Sequence, residues 1–297
     1  VTAPRQILAG TTYLITRRCA QRQMLLRPSE VTNSIVLYVL AVAAQRYGVQ
    51  VHAYCVMSNH LHAVVTDPGA RLPAFQQYLD SLVARAMNAS LGRWESFWAP
   101  SSYSAVELAS PDDILEKTVY VLANPVAAGL VSRGGEWPGL WSDPASMGGG
   151  PLLAPRPTVF FSPRGTMPRS ASLELVAPPG FESADDFRAR AEAGLAEAEA
   201  RHAEALRAKG RSFLGPARVL ALKPSSRPHD FEPRRGLDPH VAARRKWLRV
   251  ELLSRLAEFR RSYRAAWCQR HEGRLDAVFP AGTYLLRVAH HVRCAAA

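Results

Sequence analysis

Two strand-like runs, Val49 to Met57 and His60 to Val65, are separated only by Ser58-Asn59. A gap that short between such runs leaves an antiparallel hairpin as the natural outcome, and it commits this part of the chain to a sheet. Side chains at i and i+2 of a strand share a face. His60 and His62 therefore stand side by side, while Leu61, Ala63 and Val65 turn the other way into a core. Two imidazoles on a rigid strand supply two-thirds of the protein ligands of a metal site. A chance pair of surface histidines fits the same nine residues, Met57 to Val65.

The neighbouring segments extend the sheet. Gly10 to Cys19 reads as a strand through Thr11, Thr12, Tyr13, Leu14, Ile15 and Thr16, and ends on Arg17 and Arg18. Ser29 or Thr32 can cap a helix to about Tyr47 that Gly48 closes, with Ile35, Tyr38, Leu40, Ala41 and Ala44 at helical spacing. Asp67-Pro68-Gly69 ends the histidine strand. Pro73 opens a second helix to about Ser90 with Phe75, Tyr78, Leu79, Leu82 and Met87 inward, closed by Gly92. Arg93 to Pro100 is dense in aromatic residues, and Trp98 can stack on an unpaired base or serve as a lid on the core. Tyr103 to Leu108 alternates as a fourth strand. Ser110-Pro111-Asp112-Asp113 starts a third helix, expected to stop near Asn124 because Pro125 cannot continue it.

The order strand, helix, strand, strand, helix, strand, helix predicts an α+β fold. Its form is a ferredoxin-like antiparallel sheet with helices on one face and the other face open for a site. Domain boundaries are expected at 1–143 for this unit, 144–182 for a Pro/Gly-rich linker of irregular chain, and 183–297 for a basic, mainly helical extension. In the extension, one helix is expected from Ser183 to Lys209. Another should start at Asp238-Pro239 and run to about Arg270, with Trp247, Val250, Leu253, Leu256, Phe259, Tyr263 and Trp267 as a core stripe.

The net charge of +12 favours a polyanionic partner. Residues 1–150 are close to neutral, with 11 Lys and Arg against 10 Asp and Glu. The excess lies after Lys209, so Arg244, Arg245, Arg249, Arg260 and Arg264 are the phosphate-binding candidates, joined by Arg17 and Arg18. A solvated arginine-rich helix surface is the competing reading. The four scattered cysteines form no disulfide framework or paired zinc spacing, and Val1 to Gly10 does not read as a secretory leader. No apolar run reaches membrane-spanning length. The expected compartment is a reducing cytoplasm, on the nucleoid when DNA is bound.

A second constellation gives the histidines a purpose. Tyr120 and Asn124 are four residues apart on the third helix and share one face. Brought over the histidines, Tyr120 offers a hydroxyl nucleophile for a phosphodiester and Asn124 an amide oxygen as third ligand. A free phenol ionises only at pH ~10, so polarisation of the phosphate by a cation would be needed. Oxygen and imidazole donors suit Mg²⁺ or Mn²⁺, with two imidazoles leaning toward Mn²⁺.

His60-Leu61-His62 after Met57-Ser58-Asn59, then Tyr120 ahead of Asn124-Pro125-Val126, then Ala128-Gly129-Leu130-Val131, resembles the REP-associated tyrosine transposases, members of the HUH single-strand endonucleases. The likeness spans roughly residues 5–142. It implies a ferredoxin-like catalytic domain that cuts single-stranded DNA, often near hairpins, through a 5′-phosphotyrosine link with release of a 3′-hydroxyl. It also implies Tyr120 as nucleophile, His60 and His62 as metal ligands, and Asn124 as the third. Two positions depart from the family pattern. Ser58 stands where the family usually has proline, and Ala127 where it usually has an Arg or Lys whose phosphate contact the resemblance therefore does not carry over. The expected partner is single-stranded or hairpin DNA, with no membrane, and a homodimer stays open. Two rivals remain: a DNA-binding regulator that keeps the fold without catalysis, and a metal-dependent hydrolase that uses water.

Overall fold

The computed structural model describes residues 4–100, 103–228 and 239–296. Its central sheet contains β1 (Thr11–Arg18), β2 (Gln50–Met57), β3 (His60–Asp67) and β4 (Ser104–Leu108), with α1 (Glu30–Tyr47) between β1 and β2 and α2 (Leu72–Leu91) between β3 and β4. The order across the sheet is β2-β3-β1-β4, and neighbouring strands in this set are antiparallel. This is the split βαβ topology read from the order of elements. A fifth strand, β7 (Val241–Ala242), adds to β4 in parallel and makes the sheet mixed. No helix among the described residues is long and apolar enough to cross a membrane.

Local chemistry sets the helix ends. Ser29 Oγ accepts from the Thr32 amide at 3.0 Å to start α1, and Gly48 closes it in a left-handed conformation at φ 66°. For α2 the cap is remote. Asp67, fully buried at the end of β3, accepts from the Arg71 amide at 2.9 Å and the Leu72 amide at 2.6 Å. Two of the helix's orphan donors are satisfied by the residue that also ends the strand.

The third helix, α3 (Pro111–Ala127), starts as expected on Ser110 but runs past Pro125. Proline removes one donor from the last turn, and the helix then closes on bonds from Ala128 to Asn124 and from Leu130 to Pro125. One missing bond so near the end is tolerable, whereas the same proline mid-helix would cost about 3 kcal/mol. α1 and α2 pack on one face of the sheet, and α3 lies across β2 and β3 on the opposite face. That second face is thus occupied along part of its length, and the helix that occupies it carries Tyr120.

Residues 144–182 do not form an irregular connector. They build a hairpin, β5 (Leu152–Pro155) and β6 (Ser170–Leu173), that packs on the outer side of α1. Tyr38 Oη donates to the Pro168 carbonyl at 2.6 Å, and the Tyr38 ring meets Phe161 edge-on. α1 is consequently apolar nearly all round, as a helix covered on two sides must be. The next helix, α4 (Ala184–Ala208), lies along α3, where the bare Gly194 backbone fits against Val119. After α5 (Pro216–Ala221), the long basic helix α6 (Lys246–His271) starts later than Pro239, because Val241 and Ala242 are taken up by β7. Asp238, the other residue of the expected start, lies outside the described residues. The apolar stripe of α6 is only partly core. Phe259 is buried, but Trp247, Val250, Leu253 and Trp267 are exposed, since little of α6 touches the sheet beyond β7. The short α7 (Leu285–His290) follows; Phe279 and Val292 flank it and pack on Ala266 of α6.

One buried histidine makes stability depend on pH. His52 sits at the irregularity where β2 shifts register between Val51 and Ala53. Its Nδ1 is bonded to the Val176 carbonyl and its Nε2 to Thr66 Oγ1, both at 2.7 Å. Burial pushes its pKa down to about 4 from an ordinary 6.5, against the opposing pull of the Val176 carbonyl. The unfolded chain therefore binds the proton more readily between those two values. The His52 contribution is complete above the unfolded pKa and is lost as pH falls toward the folded one, by up to about 3 kcal/mol. Asp80 opposes it in the same window. Its carboxyl is pushed up to about 6, chiefly by burial, although Arg17 pulls it down, so acidification favours the folded state there. Comparing urea unfolding of the wild type with His52→Gln across this range cancels Asp80 from the difference. The expected result is a wild type that weakens on acidification relative to the variant. Parallel pH profiles would refute it.

Candidate active site

The antiparallel register places Arg18 opposite His60 and Thr16 opposite His62. These four share a face with Leu14 and Val64, which pack with Val121 and Val126 of α3. Leu61, Ala63 and Val65 point the other way, into the core with α1 and α2, as the alternation predicts.

His60 and His62 meet edge to face with ring centroids 4.7 Å apart. The Tyr120 ring approaches His62 in the same manner at 5.4 Å. Both partners belong to one chain, so the cluster forms without a second copy. Tyr120 is 46% exposed and His62 only 5%. His62 is held well below the usual imidazole range, first by burial, then by His60 and by the Arg18 guanidinium. It is a neutral ring at neutral pH, the form in which an imidazole donates to a metal.

Side-chain oxygens grip both rings. His62 Nδ1 is hydrogen-bonded to Thr16 Oγ1 at 2.8 Å, and His60 Nδ1 to Asn59 Oδ1 at 2.6 Å. His62 Nε2 is buried with no hydrogen-bond partner among the described residues. A buried nitrogen lone pair next to a second imidazole suits a divalent cation. Among the described residues no three His, Cys, Asp or Glu side chains cluster, so any third protein donor beside the two imidazoles would be of another type. The amide of Asn124, one turn after Tyr120 on α3, is of the right chemistry.

α3 is firmly placed. Trp141 Nε1 donates to the Leu122 carbonyl and Trp137 Nε1 to the Val56 carbonyl, each at 3.0 Å. Asp113, at the start of α3, accepts from the Arg244 amide at 2.8 Å and so ties the C-terminal arm to this helix.

The remaining sequence candidates scatter. Arg17 lies on the opposite face from the histidines, 3.2 Å from Asp80 and over the Trp98 ring. Trp98 is buried, with Nε1 donating to the Asp80 carbonyl, which is the lid arrangement; Trp94 is the exposed ring of that loop. Arg244 and Arg245, just before α6, and the arginines of α6 itself lie on the β7 side of the sheet, three strand steps from β3. Arg244 pairs with Glu116 at 3.6 Å and Arg260 bonds His240 at 2.8 Å, while Arg245, Arg249 and Arg264 are exposed. Thr16, Asn59 and Asp113 were not singled out by the sequence. Only Asn59, adjacent to His60, carried a local hint.

No family model matches the sequence, and no curated protein is significantly similar to it. Among solved structures, the chain is similar to the REP-associated tyrosine transposase bound to a REP hairpin. That similarity has 17% identity and a TM-score of 0.40, over 46% of this chain and 80% of that one. A candidate transposase from Deinococcus radiodurans R1 is similar at 19% identity and a TM-score of 0.28, over 36% of this chain and 85% of that one. These are distant likenesses of fold.

Proposed function

We propose that this chain is a metal-dependent, single-strand-specific DNA endonuclease and strand transferase, acting through a covalent 5′-phosphotyrosine on Tyr120. The observation that supports this reading is the half-exposed Tyr120 ring set edge-on against His62 within one chain. Phenol and imidazoles come from elements sixty residues apart, and a packing role does not require a tyrosine left half in solvent.

His60, His62 and Asn124 would hold Mg²⁺ or Mn²⁺. The bound cation would polarise the scissile phosphate and stabilise the charge that builds up on it. Tyr120 Oη attacks phosphorus and gives up its proton. The bond from phosphorus to the 3′-oxygen breaks, and that oxygen takes up a proton to leave as a 3′-hydroxyl. Attack of a 3′-hydroxyl on the phosphotyrosine reverses the bond changes and rejoins a strand, with no external energy source. Arg18 shares the histidine face and would contact a backbone phosphate there, and the exposed arginines of α6 would hold flanking DNA at the β7 edge.

The test is an end-labelled DNA hairpin with a single-stranded flank, incubated with the protein and Mn²⁺ and resolved under denaturing conditions. The expected result is a protein-linked 5′-phosphate fragment and a free fragment ending in a 3′-hydroxyl. Adduct yield unchanged by chelator would remove the metal. Tight hairpin binding with no cleavage would favour the non-catalytic regulator.

A further inference from the structure

The hydrogen bonds behind the two imidazoles determine which ring nitrogen faces the site. The Asn59 amide is oriented by its own neighbour, with Nδ2 donating to the Arg22 carbonyl at 3.2 Å. Only the nitrogen end of an amide can donate, so Oδ1 is the atom facing His60 Nδ1 at 2.6 Å. An amide oxygen only accepts. His60 Nδ1 must therefore carry the proton, and in a neutral ring Nε2 then holds the lone pair.

Thr16 can donate or accept, so its 2.8 Å bond alone does not choose a tautomer for His62. Burial chooses. His62 Nε2 is enclosed with no partner among the described residues. A proton there would be a buried donor lacking an acceptor, and orphaned buried N–H groups are rarer in folded proteins than under-satisfied acceptors. With the proton on Nδ1, Thr16 Oγ1 accepts it, and Nε2 keeps a lone pair that a cation can use. Thr16 is the register partner of His62 on β1, so the sheet itself sets this contact.

We infer that Asn59 and Thr16 are positioning residues that hold His60 and His62 in the Nδ1-protonated tautomer, presenting both Nε2 lone pairs to a divalent cation. The cation half rests on the proposed function; the tautomer half does not.

Long-range proton–nitrogen correlation spectra of the metal-free, ¹⁵N-histidine-labelled full chain, at mildly alkaline pH, read the tautomer directly. Signals are assigned by their loss in His60→Asn and His62→Asn. Both rings should show a protonated Nδ1 and an unprotonated Nε2. A ring with the proton on Nε2 would overturn the inference for that residue. Thr16→Val should release His62 into a tautomer mixture and weaken Mn²⁺ binding, read by the paramagnetic resonance of free Mn²⁺, by about 10- to 100-fold. Thr16→Ser should restore both, and Asn59→Ala should do to His60 what Thr16→Val does to His62. If Thr16→Val lowers only thermal stability, with tautomer and Mn²⁺ affinity unchanged, Thr16 is structural and its positioning role is wrong. A wild type with the expected tautomers but no Mn²⁺ binding would support the hydrogen-bond assignment and sink the metal half of the proposed function.

Discussion

Tyr120→Phe should lose the covalent DNA adduct by at least about 10³-fold, the scale seen when a covalent nucleophile is removed. Fold and hairpin affinity should stay near wild type. Tyr120 is half-exposed, and phenylalanine keeps the ring that packs against His62. A surface change of this kind usually moves stability by less than about 0.5 kcal/mol. Gel-resolved adduct yield, hairpin binding and thermal unfolding, measured on the same preparations, separate the readings. Adduct retained in the variant would show that another residue attacks the phosphate. Cleavage that continues with no adduct would point to water as nucleophile and to the hydrolase alternative. Loss of adduct together with loss of hairpin binding would mean that Tyr120 serves DNA docking, and the nucleophile assignment would fail.

Phe187→Ala should destabilise the protein by about 3–5 kcal/mol, the range for deleting a buried aromatic side chain. Phe187 opens α4, is fully buried, and meets Phe181 edge-on at 4.8 Å. It belongs to the same buried cluster as Ile15 of β1 and Val39 of α1. The cavity therefore opens where α4 packs along α3, in apolar packing continuous with the core of the sheet, not inside a tethered appendage. Urea unfolding followed by far-ultraviolet circular dichroism should move to lower denaturant for the sheet and for α4 together. If 183–297 were an extension on a flexible linker, two transitions would appear and the sheet's would not move. That outcome would contradict the packing described for residues 144–208.

Much of the first half was legible because its signals are short-range. The Ser29 and Ser110 caps, the Gly48 and Gly92 stops and the Ser58-Asn59 turn each depend on a few neighbouring residues, and the structure keeps them. Alternation along β3 correctly separated His60 and His62 from Leu61, Ala63 and Val65. The helix through Pro125 was misjudged by local reasoning, since a proline in the last turn removes only one bond. The hairpin at 152–173 was hidden by prolines and glycines. A clue lay far away, in α1, whose Val36, Val39, Val42 and Ala43 are apolar outside the stripe first read as its core side. A helix with no polar face needs cover on both sides.

By itself the sequence determined which residues could act: two imidazoles on one face of a strand, and a phenol and an amide one turn apart on a helix. Those are consequences of fixed backbone periods, two for a strand and 3.6 for a helix. Only the tertiary structure decided that α3 crosses the histidine face, that Thr16 lies opposite His62, and that Arg17 and Trp98 turn to the other side of the sheet. Register and the choice of face come from packing between segments tens of residues apart, so no local pattern carries them.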